Sequence, residues 1–183
     1  ATRVGDVVRF APTAIADCGV AFVGLGAAGA LAAAAVARGG VGRIALCDWV
    51  AVSSADVDAG AYDPAALGLP RAPAMAQSVE ALARGTQIDV VALDVGDEDG
   101  LAALEAVLDA RGADAGAAGD AGAWEITCVV CALPVSAVAR KALNRVCLRR
   151  SLPVVDVRVT GMGVLGGVSV LLPGASRCLA CAD

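Results

Sequence analysis

The sequence predicts an α/β fold, a Rossmann-like, doubly wound and mainly parallel sheet with helices on both faces. Three observations support this prediction. Short apolar runs alternate with helical stretches, the first apolar run leads directly into a glycine turn, and 183 residues are enough to bury one core. We therefore expect a single domain that spans residues 1–183.

Each strand is predicted from an apolar run that is bounded by turn or polar residues. The first run precedes the glycine turn and is apolar throughout, which is typical of a strand that is buried on both faces. Later runs repeat this pattern at intervals that leave room for a helix between them. The six predicted strands are residues 20–23, 43–49, 87–93, 126–132, 154–159 and 164–172.

Four longer stretches are predicted as helices. The first is rich in alanine, has no charge before Arg38 and is followed by Gly39 and Gly40, which suits a buried helix with a glycine stop. The third places Leu104 and Leu108 on one face. The four predicted helices are residues 27–38, 70–84, 101–110 and 135–150.

Two segments lack this regular pattern. Residues 50–70 are polar and rich in Asp, which indicates a loop or a short helix. Residues 111–123 consist almost entirely of Gly, Ala and Asp, which indicates a flexible insertion within the domain rather than a linker between two domains.

A glycine loop follows the first predicted strand and opens the first predicted helix. The pattern G-x-G-x-x-G in this position lets phosphate oxygens approach backbone N–H groups at a helix N-terminus. Asp48 ends the second predicted strand, nineteen positions after the last glycine, where a carboxylate can accept hydrogen bonds from a ribose. The motif predicts a nucleotide site, although a purely structural glycine turn would give the same pattern, and it does not decide between a dinucleotide and ATP. The loop residues are Gly24, Leu25, Gly26, Ala27, Ala28 and Gly29.

Two C-x-x-C pairs raise the question of a four-cysteine zinc site. Cys128 and Cys131 lie within a predicted strand, where residues three apart point to opposite faces, so their two thiolates cannot share one metal. Cys178 and Cys181 follow a Pro-Gly turn near the C-terminus, in a setting that suits a zinc knuckle. Residues 173–183 are therefore predicted to supply half of a zinc site.

Composition excludes several classes of partner. The net charge of −5 leaves no basic surface for nucleic acid. The longest apolar stretch, residues 18–36, contains the glycine loop, which would leave backbone groups unsatisfied in a membrane. Seven cysteines in a chain without secretory features indicate reduced thiols and a cytoplasmic location.

These features together resemble the ThiF/MoeB/ubiquitin-activating (E1-like) superfamily, and within it the enzymes that activate the ubiquitin-fold modifier UFM. The likeness covers nearly the whole chain, and its most specific part is the ending P-G-x-x-x-C-x-x-C. The segments that carry the resemblance are VGLGAAGA from Val23, GVGRIALCDWV from Gly40, AALGLPR from Ala65 and GGVSVLLPGASRCLACAD from Gly166.

The resemblance implies ATP-dependent adenylation of the C-terminus of a UFM-type modifier, with Mg²⁺ as cofactor. The glycine loop would cradle the ATP phosphates, Asp48 would hold the ribose, Arg71 stands where the family has a phosphate-binding Lys, and Asp94 could contact the nucleotide. Cys178 and Cys181 would be the first zinc pair, with the second pair and the thioester-forming Cys outside these residues. The implied partners are the modifier, its conjugating enzyme and a second copy of the chain in a homodimer.

The sequence departs from the family pattern at several positions. Val50 replaces the second acid of D-x-D, and the family's N-x-x-R falls on Asp56 to Ala59. An Asp-Asn pair whose Asp takes part in adenylation falls on Val135 and Ser136, so no catalytic residue is identifiable. The remaining acids near these positions are interpreted as solvated loop residues, and they are Asp56, Asp58, Asp63 and Asp97.

These departures leave two alternatives open. A catalytically degenerate protein of the same fold would bind a nucleotide weakly or not at all and would act as a scaffold. An NAD-dependent oxidoreductase would also use the glycine loop and Asp48, but it gives no role to the C-terminal cysteines.

Overall fold

The computed structural model describes residues 15–92, 94–110, 125–133, 137–160 and 165–176. Within them, six strands form one sheet in the order β3-β2-β1-β4-β5-β6. The strands are β1 (Cys18–Val23), β2 (Arg43–Cys47), β3 (Gln87–Val91), β4 (Glu125–Cys131), β5 (Val154–Thr160) and β6 (Leu165–Leu171). The helices are α1 (Ala27–Arg38), α2 (Ser54–Asp58), α3 (Arg71–Leu82), α4 (Glu98–Asp109) and α5 (Ala137–Arg149), with a 3₁₀ turn at Pro64–Ala66.

The sheet is parallel except at one edge. Strands β1 to β5 pair in parallel, and β6 runs antiparallel to β5. The strand order reverses direction between β1 and β4, and in such sheets the crevice at the carboxyl ends of these strands is the usual binding site. The predicted α/β fold with a mainly parallel sheet is confirmed.

Helices cover both faces of the sheet and form two cores. On one face, α1 and α3 pack against β1 and β2, and Phe22, Leu46 and Met75 are buried there. On the other face, α4 and α5 pack with Leu104 and Leu143 in the core. The alanines that make α1 apolar on all sides let this helix lie close to the sheet, because their side chains are small. The buried alanines of α1 are Ala30, Ala33 and Ala37.

The observed elements differ from the predicted ones mainly at their ends. β2 ends at Cys47 rather than at residue 49, because the chain turns at Asp48 into the loop above the sheet. α4 begins at Glu98 rather than at residue 101, because the Asp97 carboxylate caps it by accepting a hydrogen bond from the Gly100 N–H at 2.7 Å. The short helix predicted within residues 50–70 is confirmed as α2.

The cysteines in β4 occupy positions that suit core residues rather than metal ligands. Cys131 is buried with Val129 in the core beneath α5, and Cys128 is half-buried. Among the residues that the structure describes, no group of three His, Cys, Asp or Glu side chains could hold a metal ion. Cys178, Cys181 and the predicted insertion at 111–123 lie outside the described residues.

The helices of the structure are short compared with the thickness of a bilayer. In the described ranges, no helix is both long and apolar enough to cross a bilayer. The apolar stretch at residues 18–36 is divided between strand β1, the glycine loop and helix α1, as the sequence predicted.

Candidate functional site

A cleft of about 350 Å³ opens at the carboxyl ends of β1, β2, β4 and β5. Its position above the reversal of strand order is where the fold places ligands. The cleft has a polar side, formed by the glycine loop with Asp48 and Arg71, and an apolar side formed by residues of the β4 and β5 ends and of the loop after β2. The lining residues are Gly26, Ala27, Ala28, Asp48, Trp49, Val50, Arg71, Ala132, Leu133, Val157 and Val159.

Two of the three motif glycines serve the packing of the loop. Gly24 has a φ of +92°, and a Cβ there would lie 2.7 Å from the backbone of Ala132 and Leu133. A Cβ on Gly29 would lie 2.1 Å from the carbonyl oxygen of Gly24, so α1 can begin only because this residue has no side chain. These glycines shape the turn between β1 and α1.

Gly26 has a different environment. It is the N-cap residue of α1 and has no side-chain cap, and a Cβ on it would meet only the Nη1 atom of Arg71 at 4.0 Å. The first turn of α1 carries no acidic residue. The space in front of this helix N-terminus is therefore open, and both the helix dipole and the guanidinium of Arg71 favour an anion there.

Asp48 links the glycine loop to the end of β2. It is 3% exposed, its Oδ2 accepts a hydrogen bond from the Leu25 N–H at 2.6 Å, and its Oδ1 accepts one from the Val50 N–H at 2.8 Å. The Nη1 atom of Arg71 lies 3.7 Å from Oδ2. Asp48 therefore lines the cleft and also fixes the loop, while a bond to a ribose stays a prediction.

Arg71 is the first residue of α3, and its side chain is held by an acid from the preceding loop. Its Nε and Nη2 donate to the Oδ2 of Asp56 at 3.1 and 2.7 Å. Its own N–H donates to the Val50 carbonyl at 2.9 Å, which ties α3 to the loop after β2. These contacts hold both the backbone and the side chain of Arg71 in place where its guanidinium lines the cleft.

The interpretation of Asp56 as a solvated loop acid is wrong. The residue is 4% exposed and forms a capping box with Ser53 at the start of α2. Burial acts to raise the pKa of Asp56, but hydrogen bonds from the Ser53 backbone and from Arg71 outweigh it, so that the pKa lies below its ordinary value. The other three acids, Asp58, Asp63 and Asp97, are exposed, as expected.

Leu25 lies beneath the loop rather than in the cleft. Its side chain is fully buried, and its carbonyl accepts a hydrogen bond from the Tyr62 hydroxyl at 2.7 Å. Burial raises the pKa of Tyr62, so its hydroxyl stays protonated and continues to donate this bond. The glycine loop is therefore held from both sides, by Asp48 and by Tyr62.

Asp94 is not among the described residues that line the cleft. Its carboxylate accepts a hydrogen bond from the Gly96 N–H at 2.7 Å, in the loop before α4. Val135 and Ser136, which fall on the family's Asp-Asn pair, lie outside the described residues. The backbone just before them is fixed, because Arg140 donates from Nη1 to the Leu133 carbonyl at 2.8 Å.

The sequence did not lead us to predict the apolar side of the cleft or the ion pair between Asp56 and Arg71. Trp49 is 41% exposed beside Asp48, and Val157 and Val159 come from β5, which is distant in sequence from the motif. The general rule that strand carboxyl ends meet at one edge could have located the β5 residues. Ser53 and Asp56 form an S-x-x-D pattern, which signals a capping box.

Four thiols in the described part of the chain, those of Cys47, Cys128, Cys131 and Cys147, are poor nucleophiles. Burial raises the pKa of Cys47 to about 12 and that of Cys147 to about 12. Burial also raises the pKa of Cys128 and of Cys131. Because the thiolate is the reactive form, these four cysteines act as apolar residues.

Comparison with known proteins places this geometry in a family. A family model described as ThiF family matches residues 12–183. Two curated relatives, from Drosophila ananassae and from Oryza sativa subsp. japonica, are both named ubiquitin-like modifier-activating enzyme 5. They are 27% and 26% identical over 168 residues and cover 92% of this chain, which spans only 40% and 38% of their own lengths.

Solved structures share the fold. The E. coli MccB structure with ATP superposes with a TM-score of 0.73 at 15% identity, over 93% of this chain and 46% of that one. The structure of TcdA (CsdL) gives a TM-score of 0.62 at 26% identity, over 79% of this chain and 50% of that one. Because the family model matches nearly the whole of this chain, the chain belongs to the ThiF family.

Proposed function

We propose that this chain is the nucleotide-binding part of an E1-like enzyme that uses ATP to adenylate the C-terminus of a ubiquitin-like modifier of the UFM type. The names of the relatives support the class of reaction, because both are modifier-activating enzymes. The chain spans less than half of their length, so the complete activity requires more than these residues.

One observation carries the proposal: the open position at Gly26, the N-terminus of α1 and the guanidinium of Arg71 lie at the same corner of the cleft. The partial positive charge of the helix N-terminus and the full charge of Arg71 thus face one small open volume, which suits a polyphosphate. Asp48 lines the cleft next to this corner, and its carboxylate would accept hydrogen bonds from the ribose that is joined to the phosphates. Trp49 offers an apolar surface on which a purine would rest.

In the proposed reaction, a carboxylate oxygen of the modifier's last residue attacks the α-phosphorus of ATP. A new C–O–P bond forms, the α–β phosphoanhydride bond breaks, and pyrophosphate leaves with the electron pair. Arg71 and the α1 N-terminus would hold the anionic groups together while this charge builds up. Bound Mg²⁺ would add charge neutralisation.

The described residues do not by themselves supply a full set of ligands for that Mg²⁺, which in nucleotide sites also takes phosphate oxygens and water. No group of three suitable side chains is found among them, and both Asp48 and Asp56 already accept hydrogen bonds from protein donors. The proposed steps therefore rest on Arg71 and on the helix N-terminus. Zinc at Cys178 and Cys181, the homodimer and the conjugating enzyme stay predictions.

The test is ATP–pyrophosphate exchange by the full-length protein with candidate modifiers. We expect exchange that depends on one modifier and that disappears when its C-terminal glycine is removed. Exchange at background with every modifier, while ATP still binds, would contradict the enzymatic proposal.

A second candidate is a degenerate member of the family that binds a nucleotide without adenylating. The charges around the phosphate corner favour it, because Asp48 and Asp56 together outnumber Arg71. Val50 and Ala59 also stand where the family pattern has an acid and an arginine. ATP binding without exchange would support this candidate, and NADH binding that excludes ATP would favour an oxidoreductase instead.

A further inference from the structure

We propose that Asp56 is a positioning residue for Arg71: it holds the guanidinium so that Nη1 faces the phosphate corner of the cleft. This inference rests on the proposed function of the cleft as a nucleotide site. It assigns Asp56 a role through Arg71 rather than through contact with the nucleotide.

The geometry divides the guanidinium into two sides. Nε and Nη2 both donate to a single oxygen, the Oδ2 of Asp56, at 3.1 and 2.7 Å. Nη1 lies on the other side, 3.7 Å from the Oδ2 of Asp48 and 4.0 Å from the place where a Cβ on Gly26 would stand. A planar fork held by one edge presents its remaining nitrogen in a fixed direction.

Asp56 is itself held in place. Its Oδ2 also accepts hydrogen bonds from the Ser53 N–H at 2.9 Å and from the Ser53 hydroxyl at 2.8 Å, within the capping box of α2. The side chains of Asp56 and Arg71 are 6% and 14% exposed, so little solvent competes for their contact. An arginine with this support loses little further conformational freedom when an anion binds.

The same contact explains two departures from the family pattern at once. The acid at Asp56 and the arginine at Arg71 replace residues of different chemistry, and in this fold they touch. An ammonium is a compact point charge, whereas a guanidinium needs a partner that fits its planar fork. A lysine placed opposite Asp56 would be drawn to the carboxylate and could not serve the acid and the phosphate equally well.

The inference is tested by a double-mutant cycle in the full chain, with the dissociation constant for Mg·ATP measured by calorimetry and Tm recorded for each variant. Asp56→Asn keeps the shape of the side chain but releases the guanidinium, and we expect ATP to bind about tenfold more weakly. Arg71→Lys is expected to weaken binding to a similar degree. The double variant D56N/R71K is expected to bind at least as tightly as R71K, because the ammonium is then free to reach the phosphate.

Two further variants separate positioning from folding. Asp63→Asn changes an exposed acid that caps the neighbouring 3₁₀ turn, and it should leave ATP affinity within about twofold. Ser53→Ala removes a hydroxyl that holds the Asp56 carboxylate, so we expect a lower Tm and a loss of ATP affinity smaller than that of D56N. If D56N does not fold, S53A carries the test, and an affinity for ATP no weaker than that of D63N would then overturn the inference.

Two outcomes would overturn the inference. One is that D56N weakens ATP binding no more than D63N does. The other is that the losses in D56N and R71K multiply in the double variant, as two independent structural defects would. Failure of the adenylation proposal is distinguishable, because it would appear as missing pyrophosphate exchange in a wild-type protein that still binds ATP and still shows this coupling.

Discussion

At the scale of single residues, the three glycines of the motif have different structural roles, although the motif requires glycine at all three positions. Gly24 and Gly29 are required by close contacts within the fold, whereas Gly26 faces open space at the cleft. The sequence located all three, because the motif is local in the chain. It could not rank them, because the neighbours that distinguish Gly24 from Gly26 are Ala132 and Arg71, which are distant in sequence.

Alanine substitution should separate these roles. Gly24→Ala forces a side chain into a left-handed backbone against Ala132, and Gly29→Ala forces one against the Gly24 carbonyl, so we expect each to lower the free energy of unfolding by about 1–3 kcal/mol or more. Gly26→Ala should leave it within about 0.5 kcal/mol of the wild type. Urea denaturation of the three variants measures this, and equal losses in all three would contradict the assignment.

Asp56 gives the site a defined response to acid. Its folded pKa lies below the unfolded value of 3.8, so its contribution to stability is fully present above the unfolded pKa and is lost as pH falls through the folded pKa. We therefore expect wild type to be more stable than Asp56→Asn at pH 7, with the difference shrinking below about pH 4. Urea titrations of both proteins at pH 7 and pH 3 test the sign, and a difference that grows at pH 3 would contradict it.

At the scale of elements, a buried charged network joins α5 to the strands beneath the cleft. The guanidinium of Arg140 bonds to the Asp156 carboxylate in β5 and to the Leu133 carbonyl at the end of β4. Asp156 is fully buried and also accepts from the Nε of Arg158 at 2.7 Å. The network fixes the backbone at the floor of the cleft. The sequence pattern predicted helix α5 and strands β4 and β5. It did not predict the ion pair between Arg140 and Asp156, because the contact between their elements depends on the order of the strands in the sheet.

Breaking this network should be costly. Arg140→Met removes one of the two guanidinium groups that pair with the fully buried Asp156 carboxylate. Because Arg158 stays as its other partner, we expect a loss of about 1–3 kcal/mol in the free energy of unfolding. The matched control is Arg149→Ala on the same helix, whose side chain is 60% exposed and pairs with Glu105 at 2.5 Å. That control should cost less than about 1 kcal/mol.

Chemical denaturation measures the free energy of unfolding of both variants and shows whether the Arg140 contact contributes more to stability than an exposed ion pair does. Comparable losses in the two proteins would mean that water reaches Asp156. A third variant, R140M/D156L, also removes the buried carboxylate and leaves only the partly exposed Arg158 charge, so it should recover much of the stability that Arg140→Met loses.

At the scale of the whole molecule, the position of the cleft follows from the order of the strands. Alternating strands and helices predicted a parallel sheet, and the glycine loop predicted a nucleotide site after the first strand. The apolar side of the cleft was not predicted, because Trp49 is in a loop and Val157 and Val159 become neighbours of the glycine loop only through the pairing of β4 with β5. The proposal of ATP over a dinucleotide rests on the family, because the glycine motif alone does not decide between them.

The central claim is that this cleft binds ATP through the open corner at Gly26 and Arg71. Calorimetric titration of ATP and of NADH into the wild type and into Gly26→Ala tests it most directly, because the added methyl group lies in the corner and in no protein contact closer than 4.0 Å. We predict that the wild type binds ATP in preference to NADH, and that Gly26→Ala loses this binding with an unchanged Tm. Equal ATP affinity in both proteins, or binding of NADH in place of ATP, would contradict the account.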